Sequence, residues 1–200
     1  MVGEEIMKIM KISNDLKEQM NKWFQERTQK HISFVEKYCK KAAKYNDEFN
    51  ALLDCIKNHD QTKFKEPELE PYVYITWKYK CQDDGMKFED CNPPENMDAL
   101  MNKATVHHIK NNRHHPEFHD DDFTEEKFNK DNRDGIPDEI VNGTKMNRVD
   151  IAEMVCDWCA VSEEKGNTPK KWADQNVNKR WKFTDDQKDL IYELIDVFWE

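Results

Sequence analysis

Histidines and aspartates that could share a metal ion are spread along most of this sequence. The chain of 200 residues contains 7 histidines, and neutral imidazole is the commonest ligand of transition metals in proteins. Six of the histidines fall in or beside segments predicted to be helical, and His119 lies in an acidic stretch. This concentration of imidazole motivates the hypothesis of a metal site.

The first candidate ligands are His31 and the doublet His59-Asp60. His31 recurs at helical spacing with Val35 and Tyr38, so it points towards the core, where a hydrogen-bonded core histidine is the alternative. His59 ends an apolar helical stripe, and Asp60 follows it directly. A helix that ends and passes into a turn would explain the doublet equally well.

Asp157 is the candidate carboxylate of a later helix. At about 100° per residue it lies at the border of the apolar stripe of residues 149–164, where an unpaired carboxylate is costly. Asp150 and Glu153 have the spacing of a capping box, which accounts for both without a site. We therefore favour Asp157 over Glu153 as a ligand.

Two histidine doublets, His107-His108 and His114-His115, lie between these candidates. Two adjacent helical residues cannot both face the core, so one packed and one solvated imidazole is the simpler interpretation of either doublet alone. Together, however, the candidates supply at least four imidazoles and two carboxylates from four segments. That set suits one or two divalent ions with open positions for water and substrate.

The elements that must position these side chains are helical. Gly (5) and Pro (7) are few in this chain, and the abundance of Glu, Lys, Met and Leu favours helix. Residues 116–147 are acidic and weakly periodic, which predicts a long surface insertion with one short helix near Glu125–Lys130. The sequence indicates a single all-α domain over residues 1–200, with a loop at 81–95 and helices at 4–26, 29–45, 47–58, 66–80, 96–110, 149–164, 169–176 and 184–199.

Charge and hydropathy restrict the partners. The formal net charge of −10 repels phosphate backbones, so we expect no non-specific binding of nucleic acids. A small phosphorylated ligand remains compatible, because a bound divalent metal inverts the local field. No apolar run approaches the roughly 20 residues of a membrane span, and the acidic N-terminus lacks a signal-peptide pattern. We expect a cytoplasmic protein with no membrane partner.

The order of the candidates resembles the HD superfamily of metal-dependent phosphohydrolases. The segment His59-Asp60-Gln61-Thr62-Lys63 is similar to the His-Asp-x-x-Lys motif of its cyclic-dinucleotide phosphodiesterase branch, in which the lysine lies near the scissile phosphate. A closer resemblance is to a family of phage, viral and bacterial proteins, itself a divergent HD branch. That likeness covers about residues 31–172 and is carried by three blocks, 59–72, 107–117 and 153–158. This chain departs from the family in the length of its acidic stretch.

The resemblance implies an HD-domain-like helical bundle and a ligand set. His107 or His108 would complete a first metal site or start a second, and His114-His115 is the other pair that could do so. If the protein is viral, it would act in the host cytoplasm. The ligands implied for the first site are His31, His59, Asp60 and Asp157.

The activity implied is hydrolysis of a nucleotide or another small phosphate ester or phosphodiester by a metal-bound hydroxide. One or two ions of Mn, Fe, Co, Ni, Zn or Mg would be held or bridged by Asp60. Lys63 would meet a phosphate oxygen, although a solvated turn lysine is its alternative. His114 or His115 would protonate the leaving group. Two other functions fit these residues: a His-rich di-iron oxygenase, as in a few HD relatives, and a non-catalytic, metal-stabilised binding protein.

Overall fold

Helices dominate the structure. The computed structural model describes residues 2–125 and 139–199, with side chains from Asn14 onwards. The all-α class predicted from the sequence is confirmed. Within the described ranges the α-helices are α1 (Val2–Tyr45), α2 (Leu52–Cys55), α3 (Leu69–Asp83), α4 (Met97–Asn111), α5 (Arg148–Lys165), α6 (Pro169–Asn176) and α7 (Asp185–Trp199), and the 3-10 helices are Asp47–Phe49, Gln61–Phe64, Phe88–Cys91 and Pro116–His119.

A short parallel strand pair joins the described end of the acidic stretch to the C-terminal region. Strand β1 (Val141–Asn142) pairs with β2 (Trp181–Lys182). Gly143 follows β1, and a Cβ atom there would lie 2.8 Å from Phe183 Cε1 and 3.2 Å from Pro116 Cβ. The absence of a side chain at this position therefore allows β1 to approach the turn that begins at Pro116.

Two apolar clusters form the core. One joins the C-terminal half of α1 to α5 and α7 and includes Val35, Ile151 and Ile191. The other joins an earlier part of α1 to α3 and α4 and includes Phe24 and Met101. On α1 the boundary between the clusters falls between residues 24 and 35, which is where the first candidate ligand lies. No helix in the described ranges is long and apolar enough to cross a membrane.

Two helix predictions are wrong. The segments 4–26 and 29–45 form one continuous helix, because the polar residue Thr28 is itself buried, at 2% exposure, and packing continues across the expected break. The segment 47–58 is divided into a 3-10 turn and the single turn of α2. The remaining predicted helices agree with the structure within a few residues.

The stretch 116–147 is packed into the fold at its described ends. Glu117, His119, Phe123 and Met146 are all less than 10% exposed. The short helix predicted near Glu125–Lys130 lies almost wholly outside the described residues. The prediction of a surface insertion from the acidic composition therefore missed buried residues that pack this stretch against the helical core.

Candidate metal centre

Separate elements bring the predicted ligands to one place. His31 projects from the core face of α1, and Asp157 projects from the middle of α5, which packs against α1. His59 and Asp60 lie in the turn after α2, where Asp60 has a left-handed backbone (φ 59°), a conformation that aspartate tolerates better than most residues. His108 lies in the last turn of α4. Distant parts of the chain thus converge, as the sequence predicted.

The first ligand group consists of His31, His59 and Asp60, whose ligand atoms all lie within 4.8 Å of one another. Asp157 is included with them because it contacts both imidazoles. His31 Nε2 lies 2.9 Å from Asp157 Oδ1 and 3.7 Å from Asp60 Oδ2. His59 Nε2 lies 4.0 Å from Asp157 Oδ1. Octahedral ligands with metal bonds of about 2.1 Å stand about 3.0 Å apart when adjacent and about 4.2 Å apart when opposite. The three separations run from 2.9 to 4.0 Å, which is within about 0.1 Å of this span.

His59 provides the sharpest test of that fit. Its Nδ1 lies 2.9 Å from Glu153 Oε1, whereas its buried Nε2 has no hydrogen-bond partner. Ligating histidines characteristically have one nitrogen fixed by a carboxylate and the other directed at the ion. The uncompensated Nε2, directed towards Asp157, is accounted for by a cation between them.

The second ligand group consists of His108, His114 and His115, whose ligand atoms all lie within 4.8 Å of one another. His108 Nε2 lies 3.1 Å from Asp60 Oδ1, so the two oxygens of Asp60 face the two groups. The buried Nε2 of His115 has no hydrogen-bond partner. This group would hold a second ion, and Asp60 offers one oxygen to each ligand group.

Glutamate side chains contact the Nδ1 atoms of three of these imidazoles. Glu164 Oε1 lies 3.2 Å from His31 Nδ1. Glu153 Oε1 lies 2.9 Å from His59 Nδ1 and 3.5 Å from His114 Nδ1. In each histidine the nitrogen nearer a glutamate is Nδ1, which leaves Nε2 for the centre of the site. These contacts orient the rings before any ion binds.

Sequence reasoning missed this role of Glu153. The capping box of α5 is formed by Asn147 and Asp150, not by Asp150 and Glu153, so the structural account given to Glu153 was wrong. Burial at 7% exposure was the missing information. Glu153 lies one helical turn before Asp157 on the same face of α5, and this i, i+4 spacing of two carboxylates is the signal that could have revealed it.

The charges in the site hold the imidazole and carboxylate groups in defined states. Burial of His31 opposes its protonation, but hydrogen bonds to Asp157 and Glu164 raise the pKa of the imidazole to about 9. Burial likewise opposes ionisation of Glu153, yet hydrogen bonds from His114 and His59 lower its pKa to about 2. A cation that enters must therefore displace a proton from His31.

The pKa values of Asp60 and His115 are both lowered, which is the direction that favours metal binding. Burial raises the pKa of Asp60, but the charges of Lys63 and His59 outweigh it and lower the pKa well below its usual value. Burial, together with the neighbouring His114, lowers the pKa of His115 well below its usual value. An ionised carboxylate and a neutral imidazole are the forms that ligate cations.

The other predicted residues lie at different distances from the centre. Lys63 Nζ lies 2.5 Å from Asp60 Oδ2 and 5.2 Å from the ring centroid of Tyr72. The His107 side chain is 40% exposed, and within the described residues it belongs to none of the groups able to hold an ion. His119 donates from Nε2 to the carbonyl oxygen of Arg113 at 2.9 Å, apart from both ligand groups.

Comparison with known proteins gives a family. The model of DUF5662, a family of unknown function, matches residues 20–197. The chain belongs to this family. The match includes every residue of the candidate metal centre in this DUF5662 protein. No curated protein and no solved structure matches the chain.

Proposed function

We propose that this protein is a metal-dependent phosphohydrolase that acts on a nucleotide or another small phosphate ester or phosphodiester. The observation that carries the proposal is the convergence of His31, His59 and Asp60 in the first ligand group. Asp157 lies 2.9 Å from His31 Nε2, and the bare Nε2 of His59 faces it. The resemblance of residues 59–63 to the HD motif supports phosphate as the group attacked.

The residues of the first ligand group would hold a divalent cation. When bound, such a cation lowers the pKa of a coordinated water from about 15.7 to about 7 and so supplies a nucleophile at neutral pH. Asp60 links the two ligand groups, because each of its carboxylate oxygens faces one of them. Its second task is to accept a hydrogen bond from the attacking water and so orient it.

The substrate would be met by Lys63 and by one of the two histidines His114 and His115. Lys63 Nζ forms an ion pair with Asp60. A short movement of the flexible lysine side chain would bring its ammonium group into contact with a non-bridging phosphate oxygen. If the protein works with one ion in the first ligand group, the second group is free of metal, and His114 or His115 protonates the leaving oxygen. Lys63 offsets negative charge on the phosphate, and the proton donor offsets charge that develops on the leaving oxygen.

The proposal is tested by screening nucleotides and phosphodiesters with Mn, Mg, Co, Ni and Fe, together with elemental analysis. Asp60→Ala should abolish both metal content and turnover. Lys63→Met should keep the metal and lower kcat by about 10²–10³-fold. Lys57→Met is the matched control, because Lys57 is 70% exposed and pairs with Asp54. Undiminished turnover by metal-free Asp60→Ala would refute the proposal.

A second candidate is a di-iron oxygenase. It is favoured by the three imidazoles of the second ligand group, because imidazole suits iron. Metal analysis of protein purified without added metal separates the two functions. Two irons per chain with an oxygen-sensitive absorption spectrum favour the oxygenase, and hydrolysis of a phosphate ester or phosphodiester without consumption of oxygen favours the hydrolase.

A further inference from the structure

Glu68 contacts both members of the first histidine doublet. Its side chain is fully buried, at the N-terminal end of α3. Glu68 Oε1 lies 2.7 Å from His107 Nδ1, and Oε2 lies 3.0 Å from His108 Nδ1. Consecutive helical side chains point about 100° apart, so one carboxylate between them directs His108 inward and leaves His107 at the surface.

Glu68 is itself held in place. The hydroxyl of Thr62 donates to Glu68 Oε2 at 2.8 Å, and the amide of Asn112 donates to Thr62 Oγ1 at 3.2 Å. Thr62 lies in the 3-10 turn that follows Asp60, and Asn112 ends α4. Glu68 therefore connects the His-Asp turn to α4 through contacts that are all buried or half-buried.

We infer that Glu68 is a positioning residue, which accepts the Nδ1 proton of His108 and so directs the Nε2 lone pair of that ring at the cation beside Asp60. His107 donates a hydrogen bond to the other oxygen of the same carboxylate, and it is not a ligand of the cation. The inference rests on the metal centre of the proposed function, but it does not depend on which reaction that centre performs.

The contacts favour positioning over a simple packing role. His108 Nε2 lies 3.1 Å from Asp60 Oδ1, so the nitrogen opposite the glutamate faces the shared carboxylate. Ligating histidines depend on such an opposite contact for the orientation and basicity of the ring, and its loss lowers metal affinity by about 10–100-fold. Packing alone would predict a loss of stability without a change at the metal.

The test is a cobalt titration of the full-length protein after removal of metal, followed by elemental analysis and by visible absorption of the bound Co²⁺. Glu68→Gln keeps the shape of the side chain and removes its charge, and we expect cobalt affinity to fall about 10–100-fold with a changed visible spectrum. Thr62→Val should give a smaller loss in the same direction. Glu70→Gln is the control, because Glu70 lies two residues away, is 50% exposed and pairs with Lys17.

Each outcome decides between the claims. Wild-type affinity and spectrum in Glu68→Gln would overturn the positioning role and leave the metal centre standing. If Glu68→Gln fails to fold, Thr62→Val decides, and its agreement with wild type would overturn the role. A wild-type protein that binds no cobalt would overturn the role and the metal centre together. Weakened binding in Glu68→Gln, with no phosphate ester hydrolysed by any form, would support the role and refute the hydrolase.

Discussion

Asp60→Asn should remove most of the stabilisation that a divalent ion gives to this protein. Asp60 is 1% exposed, and its two oxygens face His31 at 3.7 Å and His108 at 3.1 Å. The substitution keeps the volume of the side chain but replaces a carboxylate shared by both ligand groups with a neutral amide. It therefore tests the centre at the residue on which both groups depend.

The size of the effect follows from linkage. An ion at 100 times its dissociation constant stabilises the folded state by about 2.7 kcal/mol, which for a chain of this length raises Tm by about 5–11 °C. If the loss of a shared ligand weakens binding about 100-fold, the same ion concentration equals the new dissociation constant. The stabilisation then falls to about 0.4 kcal/mol, or about 1–2 °C.

Thermal unfolding measured in chelator and then in added Mn²⁺ isolates this difference, because any change in metal-free stability cancels. Asp54→Asn is the matched control: its side chain is 83% exposed and pairs with Lys57, so its response to Mn²⁺ should equal that of wild type. An Asp60→Asn protein with the full Mn²⁺ shift would refute the claim that Asp60 holds the ion.

The structure makes four other predictions. With the pKa of His31 raised to about 9 in the metal-free fold, protons compete with the ion, so Mn²⁺ affinity from calorimetry should rise about tenfold per pH unit up to about pH 9. Protonated His31 contributes its full stabilisation to the metal-free protein below pH 6.5. That contribution to the free energy of unfolding should be lost as pH rises through 9. Gly143→Ala should cost about 1–3 kcal/mol in denaturant unfolding, because its Cβ would lie 2.8 Å from Phe183 Cε1 and 3.2 Å from Pro116 Cβ. Trp181→Phe should cost about 1.5–3 kcal/mol in the same assay by removing the indole donor to buried Glu117.

Local sequence patterns placed two members of the first ligand group, and the resemblance to the HD superfamily supplied the full set. Helical spacing placed His31 on the core face of α1, and it lies there at 6% exposure. The cost of burying an unpaired carboxylate selected Asp157, which lies 2.9 Å from His31 Nε2. Both inferences depend only on periodicity and desolvation, which are properties of one helix at a time.

The choice within each doublet and the supporting glutamates depend on contacts between distant segments. His108 and not His107 faces the centre because Glu68, some 40 residues earlier, holds both rings. Nothing local separates Glu68 from the exposed Glu70 two residues later. The continuity of α1 likewise depends on packing around Thr28. Because threonine is polar, its residue type did not predict that it would be buried.

The most direct test of the metal centre is anomalous diffraction from crystals grown with Mn²⁺ or Co²⁺. A peak about 2.1 Å from His31 Nε2, His59 Nε2 and oxygens of Asp60 and Asp157 is expected. No peak among these atoms, with the His31–Asp157 contact still at 2.9 Å, would contradict the account.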